Sequence, residues 1–161
     1  MEELLEHQFL TLSLKGEKYA IPVGRVLEVL EYTKITRLPR MASYLKGLID
    51  LRGRGIPVLD LALRFGLEET ALTTNTAIVV VEMAAGENRV VVGLIADAVH
   101  EVVEIPSDFV EDAPKFGAGP AENFLTGIGR KDEHFILVLD IDRLFEVDEI
   151  QIPAEAESIL A

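Results

Sequence analysis

The chain has 161 residues, of which 49% are hydrophobic and 27% are charged, and its formal net charge is −13. This composition is typical of a globular protein that forms one domain or two small lobes sharing a core, and it excludes a disordered chain. The acidity disfavours binding to nucleic acid or anionic lipid, the absence of cysteine excludes disulfides and thiol chemistry, and no apolar run approaches the ~20 residues of a membrane span.

The first third of the chain predicts three strands. The N-terminus MEELLEHQ is acidic and polar and does not resemble a signal peptide, so we expect a cytoplasmic protein. Residues 9–14 and 19–23 alternate or run apolar on either side of a Lys-Gly turn, which predicts a hairpin. Residues 26–31 predict the third strand.

Residues 44–65, YLKGLIDLRGRGIPVLDLALRF, predict a second hairpin. We expect Arg52-Gly53-Arg54-Gly55 to form its turn, because glycine tolerates the positive φ that a strand reversal needs. Pro57 cannot donate a ladder hydrogen bond, so we expect it on an edge strand or at a bulge. Residues 61–67 predict one helical turn.

The second half predicts the same succession of elements. Residues 76–82, 89–96 and 99–105 read as strands, and a Gly/Pro-rich loop covers 106–123. A further hairpin follows at 124–145, and the tail at 147–161 is acidic and weakly patterned.

Part of the sequence occurs twice. Residues 124–145 align with residues 44–65 without a gap, and seven of the 22 positions are identical, including Gly47/Gly127 and Asp60/Asp140. Residues 99–104 match residues 26–31 at four of six positions. These matches indicate an internal duplication; the alternative is that two hairpins converged on similar strands.

Many short strands separated by glycine and proline favour an all-β fold with a few short helices. With the duplication, they predict two five-stranded barrels, because closing each sheet removes its exposed edges. We place lobe one at roughly residues 9–72 and lobe two at roughly 73–146 of a single domain. We expect equivalent places in the two lobes for Gly47 and Gly127, and for Asp60 and Asp140.

No motif predicts catalysis or a metal site. The three histidines are far apart in sequence, and no pattern of metal ligands, nucleophile elbow or phosphate loop occurs. The acidic residues of the 106–123 loop lack the ligand spacing of an EF-hand. We therefore expect no metal, no cofactor and no enzymatic activity.

Glu28 and Arg52 form the most specific polar pair that the sequence suggests. The period of two places Glu28 on the same face as Val26 and Leu30, and a carboxylate among apolar neighbours needs a partner. Arg52, at the turn of the central hairpin, is the nearby candidate. The alternative is that Arg52 is only a surface turn residue, and the second half has Asp132 at the matching position.

The order of motifs resembles the chemotaxis coupling protein (CheW) family over residues 8–146. The motifs are FLTLSL…YAIPVGRVLEVLE, ITRLP…YLKGLIDLRGRGIPVLDL, VVVGLIADAVHEVVEI, the PKFG loop and FLTGIG…FILVLDIDRLF. The sequence departs from the family pattern in having Asp50 before Leu-Arg-Gly, in having Arg54-Gly55 in place of an aliphatic pair, and in lacking a second proline after Pro39.

The resemblance implies a non-enzymatic adaptor with two SH3-like five-stranded barrels. It implies that the partners are the cytoplasmic tip of chemoreceptors and the regulatory domain of the histidine kinase CheA, so that the protein associates with membrane receptor arrays through them. The receptor-facing residues implied are Val26, Glu28, Gly47, Arg52, Gly53, Thr76, Gly93 and Val102. The kinase-facing residues implied are Glu111, Lys115 and Phe116.

Two interpretations compete with the adaptor. A small-molecule sensor would hold its ligand in or between the barrels, and an enzyme would place perturbed titratable groups in a cleft. The adaptor interpretation predicts an apolar groove between the barrels with a charged rim. It also predicts an exposed Phe116, although that ring would alternatively cap the core of the second barrel.

Overall fold

The computed structural model describes residues 7–112 and 124–144. Within these ranges the chain forms eleven β-strands, one short α-helix and three short 3-10 helices. The strands are β1 (Gln8–Leu14), β2 (Glu17–Pro22), β3 (Val26–Glu31), β4 (Leu45–Leu51), β5 (Arg54–Asp60), β6 (Ala77–Ala85), β7 (Asn88–Ala96), β8 (Ala98–Glu104), β9 (Val110–Asp112), β10 (Leu125–Lys131) and β11 (His134–Leu139). The helix α1 spans Leu61–Arg64, and the 3-10 helices span Val23–Arg25, Ser107–Phe109 and Ile141–Arg143.

The strands form two sheets, and the predicted all-β fold with two SH3-like lobes is confirmed. Sheet A has the order β8-β1-β2-β11-β10-β9, and sheet B has the order β3-β6-β7-β5-β4. Sheet A has six strands and not the expected five, because the short strand β9 pairs with β10 and extends its edge. The largest buried cluster lies between the sheets and combines side chains of both, such as Leu12 and Val79. A smaller cluster around Phe9 and Ile136 belongs to sheet A, and another around Val58 and Ile78 belongs to sheet B.

The two sheets repeat one arrangement. The hairpin β4–β5 of sheet B occupies the place that β10–β11 occupies in sheet A, and each pairs in parallel with the second strand of another hairpin, β7 or β2. The edge strands β3 and β8 also correspond. These are the segments that match each other in sequence, so the structure supports duplication over convergence.

The paired glycines and aspartates occupy equivalent places, as expected. Asp60 accepts a hydrogen bond from the Ala62 backbone N–H and caps α1, and Asp140 caps the last 3-10 helix in the same way. A Cβ on Gly47 would lie 2.0 Å from the carbonyl oxygen of Thr36, and a Cβ on Gly127 would lie 2.5 Å from that of Glu111. In both lobes a crossing backbone segment therefore requires glycine.

The division of the chain between lobes differs from the expected boundary near residue 72. Sheet A combines β1 and β2 with β8 to β11, whereas sheet B takes the continuous segment from β3 to β7. The hairpin β1–β2 stands where β6–β7 stands in sheet B, so the N-terminal hairpin completes the lobe formed by the C-terminal half. Pairing between distant strands decides this grouping, and local sequence patterns do not encode it.

Two local expectations about the central hairpin also need correction. Its turn contains only Arg52 and Gly53, both with positive φ, because Leu51 already pairs with Arg54. This geometry matches the two-residue turns that follow the twist of a hairpin. Pro57 lies in β5, an interior strand and not an edge, and parallel pairing with β7 begins only at Val58.

Candidate functional site

Sheet B carries a groove with a volume of about 510 Å³. Five of its lining side chains are aliphatic and three are charged. The lining residues are Leu27, Glu28, Leu51, Arg52, Arg54, Ile56, Val80 and Val91. All of them belong to sheet B or to its central hairpin, so this groove lies on one lobe and not between the two barrels, where it was expected.

The predicted pairing of Glu28 with Arg52 is present at the groove. Arg52 Nη1 lies 2.9 Å from Glu28 Oε2, with Arg52 75% exposed and Glu28 26% exposed. Because β3 and β4 are the two edges of sheet B, this contact connects the tip of the β4–β5 hairpin to the opposite edge. The ion pair therefore bridges the ends of the sheet.

The turn that presents Arg52 is held by its own hydrogen bond. Asp50 Oδ1 accepts a hydrogen bond from the Gly53 backbone N–H at 2.8 Å. Gly53 has a φ of 84° and Arg52 a φ of 54°. The carboxylate at position 50 thus stabilises the left-handed turn that places the guanidinium over the groove.

A β-bulge separates Val26 from Glu28 and corrects the expected face. The register of β3 against β6 shifts between these two residues, so that Val26 packs against the cluster between the sheets. Leu30 packs against the sheet B cluster instead. Glu28 therefore shares its face with Leu30 but not with Val26, because the extra residue of a bulge reverses the alternation.

Gly93 lies beneath the groove. It pairs with Val80 of β6 and Val58 of β5, and a Cβ at this position would lie 2.9 Å from Ile78 Cγ2 and 3.3 Å from Val58 Cγ2. The absent side chain leaves room for two β-branched side chains. Gly93 thus shapes the apolar floor of the groove.

The remaining receptor-facing candidates are dispersed. Thr76 is buried before β6, where its hydroxyl donates to the Ala71 carbonyl oxygen and accepts from the Thr73 N–H. Val102 lies on β8, the edge strand of sheet A, and is 53% exposed. The structure therefore brings together Glu28, Arg52, Gly53 and Gly93 at one groove, but it places Val102 on the other sheet.

Sequence reasoning missed most of the apolar lining. Leu51 and Ile56 lie on the same face of the central hairpin, while Val80 and Val91 come from the β6–β7 hairpin. Their strands were predicted, but which strand neighbours which was not. Arg54 was expected in the hairpin turn, whereas it begins β5 and lines the groove.

The kinase-facing candidates are only partly described. Glu111 is exposed on β9, the edge of sheet A beyond β10. Lys115 and Phe116 lie outside the described residues. Glu111 therefore stands on the sheet opposite to the one that carries the groove.

The described residues contain no group of three or more His, Asp or Glu side chains placed to hold a metal ion. His100 instead contacts the Ser13 hydroxyl at 3.1 Å. No helix among the described residues is long and apolar enough to cross a bilayer.

Two SH3-like lobes that share a core, with an apolar groove and a charged rim on one of them, define a protein-binding module. The chain matches the CheW-like domain over residues 8–149. It belongs to the CheW family, and it is a scaffold or adaptor protein of chemotaxis.

Similar proteins agree with this assignment along nearly the whole chain. The chemotaxis protein CheW of Klebsiella aerogenes is 29% identical over 148 residues, which cover 92% of this chain and 87% of that protein. CheW of Thermotoga maritima is 30% identical over 148 residues, covering 90% of this chain and 91% of that protein. The crystal structure of the scaffolding protein TtCheW from Thermoanaerobacter tengcongensis has a TM-score of 0.80 and 32% identity, covering 91% of this chain and 97% of that one.

These similarities favour the adaptor over the small-molecule sensor. A volume of about 510 Å³ lies within the range of ligand pockets, so volume alone does not separate the two. The family assignment does, because it applies to the chain from β1 to the last 3-10 helix.

Proposed function

We propose that this chain couples the cytoplasmic tip of a chemoreceptor to the regulatory domain of the histidine kinase CheA. In this proposal it catalyses no reaction, acts in the cytoplasm and reaches the membrane only through its receptor partners. The observation that carries the proposal is the sheet B groove, in which an aliphatic floor meets the Glu28–Arg52 ion pair.

The groove has the properties of a helix-binding surface. Its aliphatic side chains would pack against the apolar stripe of a receptor helix. Arg52 donates to Glu28 through Nη1, and a guanidinium has further N–H groups that can donate to receptor carboxylates or carbonyl groups. Charged groups at such a rim fix orientation and register more than they add affinity.

The proposed receptor-facing residues act in different ways. Glu28, Arg52 and Gly53 form the rim, whereas Gly47 and Gly93 shape the sheet from within. Val26 packs against the cluster between the sheets, and Thr76 forms hydrogen bonds in the loop before β6. Val102 would contact a receptor only through the exposed edge strand β8 of sheet A. The proposed receptor-facing set is thus Val26, Glu28, Gly47, Arg52, Gly53, Thr76, Gly93 and Val102.

Glu111, the described residue of the proposed kinase contact, lies on the other lobe. Glu111 is exposed on the edge strand β9, and Lys115 and Phe116 follow it in the sequence. A kinase bound there would leave the sheet B groove accessible, because β9 and the groove belong to different sheets. One molecule would therefore hold both partners at once.

Replacing Arg52 by alanine tests the receptor site. We expect unfolding stability to fall by no more than about 1 kcal/mol, because the guanidinium is largely exposed. Receptor binding should fall by about tenfold or more, since interface arginines are often hot spots, while kinase binding should change little. Isothermal titration calorimetry with a receptor tip fragment and the kinase regulatory domain would measure both affinities on one variant.

The duplication provides a matched control. Asp132 occupies the turn position in sheet A that Arg52 occupies in sheet B, and it also has a positive φ. Asp132→Ala should leave receptor binding nearly unchanged. Equal losses for receptor and kinase in Arg52→Ala would instead indicate a general loss of folding, and no loss for either would make Arg52 an ordinary turn residue.

A further inference from the structure

We infer that Arg54 sets the receptor specificity of the groove by binding a carboxylate on the receptor helix. The inference rests on the proposed function, because it concerns the same groove. It specifies that the receptor helix carries a carboxylate at one position. That position faces Arg54, which takes no part in the ion pair of Glu28 and Arg52.

Arg54 stands where the strand pattern calls for an apolar residue. It pairs directly with Leu51, and the next pair of the hairpin on the same face is Ile49 with Ile56. Leu51, Arg54 and Ile56 all line the groove. A cation therefore occupies the outer end of an otherwise aliphatic face of the hairpin.

The charge of Arg54 is not balanced within the described residues. The groove lining contains two arginines and one glutamate, and that glutamate is paired with Arg52. No ion pair or side-chain hydrogen bond involves Arg54 in the part of the chain that the structure describes. The groove thus presents one uncompensated positive charge in a chain whose net charge is −13.

A partner that covers the groove must accommodate this cation. Removing water from a guanidinium costs free energy unless the covering surface supplies acceptors. A carboxylate does so best, because it matches the fork of guanidinium donors and neutralises the charge. A receptor helix with glutamate or aspartate facing Arg54 should therefore bind more tightly than one with an apolar or basic residue there.

The length of the guanidinium side chain suits this role. Gly55 pairs with Asp50 on the opposite face of the hairpin, so the neighbour of Arg54 on its own face of β5 is Ile56, which also lines the groove. Arg54 is exposed and forms no ion pair within residues 7–112 and 124–144, so its side chain can extend toward a helix at the groove. The lysine variant keeps the charge but loses the fork, and it therefore separates charge from geometry.

The test is a titration of a chemoreceptor tip fragment from the same organism into wild type, Arg54→Val, Arg54→Lys and Arg52→Ala at about 50 mM and about 300 mM NaCl. We expect Arg54→Val to weaken binding about fivefold at low salt, with a smaller difference at high salt, because valine removes the screened attraction. Arg54→Lys should keep most of the affinity. His134→Val, at the matching position of sheet A, should bind like wild type.

A double-mutant cycle then locates the carboxylate. Each acidic residue of the receptor fragment is replaced by its amide and titrated against wild type and Arg54→Val. We expect one replacement to weaken binding to wild type but not to Arg54→Val.

The outcomes separate this inference from the proposed function. If wild type binds and Arg52→Ala weakens binding, but Arg54→Val binds as tightly as wild type at low salt, the inference fails and the proposed function stands. A loss in Arg54→Val that is equal at both salt concentrations also refutes it, since a packing defect would behave in that way. If wild type does not bind the receptor fragment, both fail.

Discussion

Replacing Asp142 by asparagine should weaken the connection between the two lobes. Asp142 lies in the 3-10 helix after β11, and Arg25 lies in the 3-10 helix that connects β2 of sheet A to β3 of sheet B. Arg25 Nη1 donates to Asp142 Oδ1 at 2.7 Å, and Nη2 donates to Oδ2 at 2.8 Å. This is the two-bond geometry in which arginine and carboxylate pair best.

The same pair also holds strand β6 of sheet B. The Ala84 backbone N–H donates to Asp142 Oδ1 at 2.8 Å, and Arg25 Nη1 donates to the Glu82 carbonyl oxygen at 3.1 Å. The ion pair thus ties the C-terminal end of sheet A to a strand of sheet B. It does so outside the apolar core that the sheets share.

We expect Asp142→Asn to cost about 1–2 kcal/mol of unfolding free energy at neutral pH. Hydrogen bonds to charged groups contribute about 1.5–3 kcal/mol, but Arg25 and Asp142 are 31% and 36% exposed, and solvent reduces the value of such pairs. Asparagine keeps one carbonyl acceptor for the Ala84 N–H, but its NH2 group cannot accept from Arg25 Nη2, so the loss combines the charge with that hydrogen bond.

The effect should depend on pH in a defined direction. The hydrogen bond from Arg25 holds the pKa of Asp142 below its ordinary value, and the hydrogen bond from Ala84 acts in the same direction, against desolvation. A carboxyl whose pKa is lower in the folded state adds stability above its unfolded pKa of about 3.9 and loses it as the pH falls through the folded pKa. The difference between wild type and Asp142→Asn should therefore be full at pH 7 and shrink below about pH 4.

Urea denaturation of both proteins at a series of pH values measures this difference. Arg89→Ala is a suitable control, because Arg89 pairs with Glu82 at 3.2 Å through a single contact and is 66% exposed. It should cost less than about 1 kcal/mol. If Asp142→Asn costs no more than this control, or if its cost stays constant down to pH 3, the Arg25–Asp142 ion pair does not stabilise the connection between the lobes as described.

Gly47→Ala should destabilise the protein by about 3 kcal/mol or more, because the new Cβ would lie 2.0 Å from a carbonyl oxygen and φ is 138°; Gly24→Ala, which meets nothing within 4 Å, should change melting little. Asp60→Ala should cost about 2–4 kcal/mol of unfolding free energy in urea denaturation, because Asp60 is buried and accepts three hydrogen bonds. Asp140→Ala should cost less, because Asp140 is less buried, and a larger loss in Asp140→Ala would contradict this expectation. Phe116→Ala should melt normally but bind the kinase regulatory domain more weakly, and a stability loss of about 3–5 kcal/mol would show that the ring caps the core.

The sequence by itself determined the local elements of this protein. Alternation and turn residues predicted the hairpins, and the duplicated segments predicted equivalent roles for Gly47 and Gly127 and for Asp60 and Asp140. These features depend on residues near one another in the chain, where steric limits and hydrogen bonds to neighbouring backbone act directly. The motif order was also sufficient to suggest the family.

The pairing of Glu28 with Arg52 was predicted for a simple reason. A carboxylate on the face that Leu30 shares needed a compensating charge, and a hairpin tip offered an arginine nearby. Glu28 pairs with Arg52 although Val26 lies on the other face, because the bulge lies before Glu28 and leaves the later alternation intact.

Only the tertiary structure decided how these elements combine. Sheet A unites β1–β2 with β8–β11, and the groove collects Val80 and Val91 beside Leu51 and Arg54. Many alternating apolar strands satisfy the same local pattern, so the choice of neighbours depends on packing and backbone pairing between distant segments. For this reason the sequence identified the strands, whereas the lining of the groove and the position of Arg54 within it emerged only from their arrangement in space.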